Sequence, residues 1–142
     1  MDWGNCFLRQ VVRDAATGRI TSMVGELNPG GDPKKTKLKL TWLADSADKI
    51  PLRLVDYDYL ITKKKVEEDE PFESLVNRYS KKETRAWGCG NLRTVPKGGV
   101  FQIERKGFYI LDKPFTKEGE ESVALSIPDG KLVQCGAFAP KQ

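Results

Sequence analysis

The sequence predicts an all-β protein with about eight short strands and one short helix, and three observations carry that prediction. Turn-forming clusters of Gly, Pro, Asn and Asp recur at intervals of roughly 8 to 12 residues. Most segments between them are short and alternate in side-chain facing, the period-two pattern of a half-buried strand. One stretch alone, around Phe72, Leu75, Val76 and Tyr79, repeats at the i, i+3, i+4, i+7 spacing of a helix.

Trp3 to Val12 reads as the first strand, and Asp14 to Gly18 as the turn out of it. Arg19 to Leu27 alternates and reads as the second strand. Asn28 to Pro33 is a loop by composition. Lys34 to Leu43 is the clearest strand by pattern: Leu38, Leu40 and Trp42 share one face, while Lys37, Lys39 and Thr41 share the other. Lys35 extends the basic row. That row reads either as the solvated face of a half-buried sheet or as a stripe that tracks phosphates. Lysines two residues apart on a strand are about 6.6 Å apart, near the spacing of successive backbone phosphates.

Ala44 to Lys49 is a polar turn, and Leu52 to Tyr59 is a strand that opens at Pro51. The block Lys63 to Lys65 stands before Glu67 to Glu70, and opposite charges this close neutralise each other in a solvated loop. A helix starts near Asp69 or Glu70, with Pro71 at its first position. Its apolar stripe reads as a core contact and ends at Ser80. Trp87 to Asn91 is a loop, and Asn91 to Val95 is a short strand or turn.

Lys97 to Lys113, KGGVFQIERKGFYILDK, reads as a hairpin. Gly98 and Gly99 reach positive φ at little cost and form the turn into it. In Val100 to Glu104, Phe101 and Ile103 share one face. Arg105 to Gly107 closes the hairpin. Phe108 to Leu111 returns, apolar enough for burial on both faces. Glu118 to Glu121 is an acidic turn, Val123 to Ile127 a strand, Pro128 to Gly130 a turn, and Lys131 to Cys135 a last strand.

At 142 residues the chain suits one domain or two small ones packed together. Its 39% apolar and 31% charged residues argue against disorder throughout. The net charge of +4 permits a nucleic-acid partner without requiring one. There is no histidine, which removes Ser-His-Asp and Cys-His catalysis and the commonest metal ligand. Cys6, Cys89 and Cys135 form no CxxC pair and read as reduced, mostly buried thiols rather than a zinc site or disulfide framework. No apolar run approaches the roughly 20 residues of a membrane span. An independent enzyme is the weakest reading, since neither a catalytic nor a metal-binding constellation is present.

Five blocks occur in one order: WGN at 3–5, KKTKLKLTWLA at 34–44, DYDYLITKKKVEEDE at 56–70, KGGVFQIERKGFYILDKP at 97–114 and IPDGK at 127–131. Together they resemble the C-terminal anticodon-binding region of class I glutamyl- and glutaminyl-tRNA synthetases, over nearly the whole chain. LITKKK and IPDGK are most similar to the cytosolic glutamyl enzymes of eukaryotes. The resemblance implies two small antiparallel β-barrels. Residues 1–60 would form most of the distal barrel, and residues 61–142 the returning part of the proximal barrel. It also implies a fragment of a longer ligase that attaches glutamate to tRNA(Glu) in the cytoplasm. ATP and Mg²⁺ would be used in a catalytic part outside this chain.

In the glutaminyl enzymes a Phe-Gln-Phe-Glu-Arg motif supplies the Gln and Arg that read the middle anticodon uridine. The positions that match are Gln102 and Arg105. Glutamate anticodons carry the same middle base, so the resemblance implies the same role. Lys35, Lys37 and Lys39 are candidates for RNA-backbone contacts. The plain alternative is a surface Gln and a hairpin-tip Arg paired with Glu104 or another acid. Two departures stand out. Gly4 replaces an Arg that helps the glutaminyl enzymes read the first anticodon base, and Trp87-Gly88-Cys89-Gly90 replaces a Gly-Asp-Pro-like loop. A second function class is a β-barrel assembly module of a multi-synthetase complex, and a further alternative is the equivalent domain of a glutaminyl-tRNA synthetase. Open barrel edges also predict pairing with a second copy of the chain.

Overall fold

The computed structural model describes residues 4–130. Trp3, Lys131 and the expected last strand from Lys131 to Cys135 lie outside the described residues. The chain divides into two compact units, residues 1–40 and 41–142.

The first unit is an antiparallel hairpin of β1 (Asn5–Arg13) and β2 (Ile20–Asn28). Its turn is built by Asp14, whose Oδ1 accepts hydrogen bonds from the Thr17 amide and the Thr17 hydroxyl, both at 2.7 Å. That is the local bonding that makes Asp a turn residue. Large apolar side chains stand exposed on both faces of the hairpin, among them Phe7, Leu8, Val24 and Leu27.

Lys34 to Leu43 is not the strand its alternation predicts. Pro33–Lys35 winds into a single 3₁₀ turn. Asp32 caps that turn by accepting a 2.9 Å bond from the Lys34 amide, and the fixed φ of Pro33 suits the first helical position. Residues 36–49 enter no sheet ladder. Alternation sets which way side chains face, but a strand also needs a neighbour to take its backbone bonds.

The second unit is built on a five-stranded sheet. Its strands are β3 (Ile50–Tyr57), β4 (Lys81–Gly88), β5 (Val100–Ile103), β6 (Gly107–Lys113) and β7 (Ser122–Ser126), in the order β4-β3-β7-β6-β5. β3 and β7 run parallel, so the sheet is mixed rather than wholly antiparallel. Neither sheet closes on itself among the described residues. All-β therefore holds, with open sheets. β3 bonds into the same sheet as every later strand, although the expected boundary at residue 60 separates it from them.

β4, KKETRAWG, is charged on both facings and gives no alternation, so its pattern hides it; β3 recruits it as an edge strand. Its exposed Lys81, Lys82, Glu83 and Arg85, and the shortness of β5 at the other edge, are features that blunt edge-to-edge pairing. The helix shrinks to one turn, α1 (Phe72–Leu75), of which only Leu75 is buried. Val76 instead bridges to Ile61. Buried Asn77 donates from Nδ2 to the Tyr59 carbonyl at 2.9 Å, so this segment bonds back to residues 59–61 and leaves the helix. Asn91 to Val95 is a turn, the 3₁₀ segment Gly90–Thr94. The charge blocks pair as expected, Lys63 with Glu70 and Lys65 with Glu67.

Ile50, Leu52, Leu54, Leu92, Tyr109, Leu111 and Ala124 form the core, with Phe101 and Ile103 packed against it. Burying each leucine or isoleucine among them contributes roughly 1.5–3 kcal/mol against leaving it in water. On β6 only one face is buried: Tyr109 and Leu111 point inward, and Phe108 is exposed. Cys6 and Cys89 are exposed, not buried; Cys135 lies outside the described residues.

Candidate nucleic-acid interface

The β5–β6 hairpin carries the two residues singled out in the sequence. Gly98, at φ +81°, starts it; its amide reaches the Leu111 carbonyl at 2.7 Å, and Leu111 returns a 2.9 Å bond to Gly99. The register then pairs Val100 with Ile110, Gln102 with Phe108 and Ile103 with Gly107. Three residues, Glu104, Arg105 and Lys106, make the tip. The Lys106 amide closes the turn onto the Ile103 carbonyl at 3.0 Å.

Arg105 sits at φ +63°, the one non-glycine residue with positive φ among the described residues. A left-handed conformation costs a side chain with a Cβ roughly 1–2 kcal/mol. Strain of this kind gathers at functional positions. The guanidinium pairs with Glu104 at 3.0 Å, with both side chains nearly half exposed. The paired tip Arg of the plain alternative is thus present, but such a pair contributes only about 0–1 kcal/mol and yields readily to a ligand oxygen. Gln102 is exposed, and its amide makes no side-chain hydrogen bond among the described residues. Its one donor face and one acceptor face are free for a partner.

The tip is tied down from β3. Asp56 accepts from the Tyr109 hydroxyl at 2.6 Å on one oxygen and from the Lys106 ammonium at 3.2 Å on the other. Tyr109 is 2% exposed and stacks on Phe101 at 6.4 Å between ring centroids. Burial, then the Asp56 carboxylate, push the Tyr109 hydroxyl above its ordinary pKa. Burial opposes the charge on Lys106, but the Tyr109 and Asp56 oxygens outweigh it and leave the ammonium above its usual value. This clamp was not visible in the sequence, because Asp56 and Tyr109 are 53 residues apart.

Gln102 and Arg105 thus share one hairpin end in the second unit. Lys35, Lys37 and Lys39 belong to the first unit and are all exposed. They do not form the even row that alternation predicts. Lys35 lies in the 3₁₀ turn, and the Lys39 ammonium folds back onto the Pro33 carbonyl and the Thr36 hydroxyl.

Comparison with known proteins decides the family. The model for the anti-codon binding domain of class I (E and Q) tRNA synthetases matches residues 39–112, which hold β3, β5 and all of β6 but Lys113. The chain belongs to this family. Gln102 and Arg105 fall inside the matched span of the anticodon-binding domain, and Lys35 and Lys37 fall outside it. The chain is 47% identical over 134 residues to a cytoplasmic glutamate–tRNA ligase of Arabidopsis thaliana, covering 94% of this chain and 18% of that protein. It is 46% identical over 133 residues to the cytoplasmic glutamate–tRNA ligase of Saccharomyces cerevisiae, with the same coverage. It is also 36% identical over 150 residues to the bifunctional glutamate/proline–tRNA ligase of Mus musculus, covering 100% of this chain and 10% of that protein. The chain therefore spans less than a fifth of these relatives.

Proposed function

We propose that this anticodon-binding domain serves a cytoplasmic glutamate–tRNA ligase and reads the middle uridine of the glutamate anticodon with Gln102 and Arg105. The observation that carries the reading is the pairing of an uncommitted amide with a strained arginine on one anchored hairpin end. A glutamine amide complements the uracil edge, which offers a carbonyl oxygen and an imino N–H. Arginine adds a planar fork for a carbonyl or phosphate oxygen. Both suit a loop base that has left its stack. Lys35, Lys37 and Lys39 supply backbone contacts in this reading, with Lys37 and Lys35 making no competing side-chain ion pair among the described residues.

In the same reading, residues 1–60 supply most of a distal barrel and residues 61–142 the returning part of a proximal barrel. ATP and Mg²⁺ belong to the ligase's catalytic part. Among the described residues no group of three or more His, Cys, Asp or Glu is arranged to hold a metal ion, and no helix is long and apolar enough to cross a membrane. Pairing with a second copy through the five-stranded sheet would use β4 or β5, whose charge and shortness weigh against it.

Names of the bifunctional relatives motivate a second reading, a module that docks other synthetases. Salt separates the two. Binding of tRNA(Glu) to the full-length protein should weaken linearly in log–log form as salt rises, because each phosphate contact releases counterions. A salt-independent affinity, or none, would favour the docking module.

A further inference from the structure

We propose that Phe108 is the stacking platform for the base that Gln102 reads. The inference rests on the base-reading role of Gln102 and adds a residue to it. Phe108 lies directly opposite Gln102 in the β5–β6 register. Residues directly opposite in an antiparallel pair project from the same face, with Cβ atoms about 4.5–5.5 Å apart. The next residue, Tyr109, is 2% exposed in the core, whereas Phe108 is 49% exposed on the outer face. Val100 shares that outer face, and its tip end carries Arg105, paired with Glu104, and Lys106, paired with Asp56.

An aromatic ring half in water beside a free amide has two complementary surfaces. The amide reads the edge of a base, and the ring covers its face. Every base has such a face, so stacking raises affinity without choosing the base. The amide makes the choice. A protein side chain would use the ring equally well but would have no need of the adjacent Arg105, whose exposed pair with Glu104 yields readily to a phosphate oxygen.

The test uses the full-length protein carrying Phe108→Leu, Phe108→Tyr or Gln102→Ala. Each is titrated at one salt concentration with tRNA(Glu) and with a transcript bearing cytidine at the middle anticodon position. Phe108→Leu should weaken both RNAs about tenfold and leave their ratio unchanged. Phe108→Tyr should restore binding, and Gln102→Ala should collapse the ratio. If Phe108→Leu binds both RNAs as the wild type does while Gln102→Ala still loses discrimination, Phe108 is not the platform and the base-reading role stands. If Gln102→Ala keeps the full ratio, the base-reading role fails and the platform for that base falls with it. Should Phe108→Leu fail to fold, the wild type decides: 5-iodouridine at the middle position, irradiated in the complex, should cross-link to Phe108. A cross-link to a different residue overturns the proposal.

Discussion

The Tyr109 hydroxyl donates a 2.6 Å hydrogen bond to Oδ1 of Asp56 and so ties β6 to β3 from inside the core. The same carboxylate holds Lys106 at the hairpin tip. A hydrogen bond to a charged group contributes about 1.5–3 kcal/mol, and Tyr109 is too buried for water to replace its hydroxyl. Tyr109→Phe should therefore lower the unfolding free energy by about 1–2 kcal/mol, read from urea denaturation. An unchanged midpoint would mean the bond contributes nothing net.

The same pair gives a pH dependence with a definite sign. Burial and Asp56 raise the Tyr109 pKa in the folded chain above its ordinary 10.0. Lys106 is also raised, above 10.5, by Tyr109 and Asp56 against the pull of burial. Just above those ordinary values the native state binds more protons than the unfolded chain, so stability falls as pH rises. The contribution is complete below about pH 10 and is lost as pH climbs through the raised folded values. Urea midpoints at about pH 9 and about pH 11 should drop for the wild type and drop less for Tyr109→Phe. A steeper loss in the variant would reverse the sign.

Arg105 holds φ +63° without being glycine. Arg105→Gly should relieve that strain, and Arg105→Ala should keep it. The glycine variant should therefore be more stable than the alanine variant by about 1 kcal/mol in thermal or urea unfolding. Both lose the guanidinium, so both should bind tRNA(Glu) less well. Equal stabilities would show that the turn relaxes when the arginine is removed.

Hydrogen exchange should separate the two units. β1 and β2 form a two-stranded sheet with apolar side chains exposed on both faces, and such hairpins are marginal on their own. Amides of β3, β6 and β7, which surround Leu52, Leu54, Leu111 and Ala124, should exchange far more slowly than those of β1 and β2 in this chain. Comparable protection in both would mean that the hairpin's exposed faces are covered.

The β5–β6 hairpin was legible because its signals are local: Gly98 and Gly99 mark its start, and Phe101 and Ile103 alternate with Val100 and Gln102. β1, β2 and the Asp14 turn were legible for the same reason. Lys34 to Leu43 misled because alternation says nothing about a bonding partner. β4 was missed because Lys81 to Arg85 carry polar side chains on both facings and the strand exists through β3. The parallel β3–β7 pair and the Asp56–Tyr109 clamp join distant segments, which no local pattern encodes. Phe108 could have been found by counting back across the turn, since closure at Ile103–Gly107 puts it opposite Gln102. By residue pattern alone Gln102 and Arg105 read as a solvated amide and a hairpin-tip Arg paired with an acid; the family resemblance singled them out.

The central claim is that Gln102 and Arg105 read the middle anticodon base. The most direct measurement compares dissociation constants of the full-length wild type and the Gln102→Ala/Arg105→Ala double variant for tRNA(Glu) and for the transcript with cytidine at that position. The wild type should prefer tRNA(Glu), and the double variant should lose roughly 1–3 kcal/mol of that preference. A double variant that discriminates as well as the wild type would contradict the claim and place base reading elsewhere.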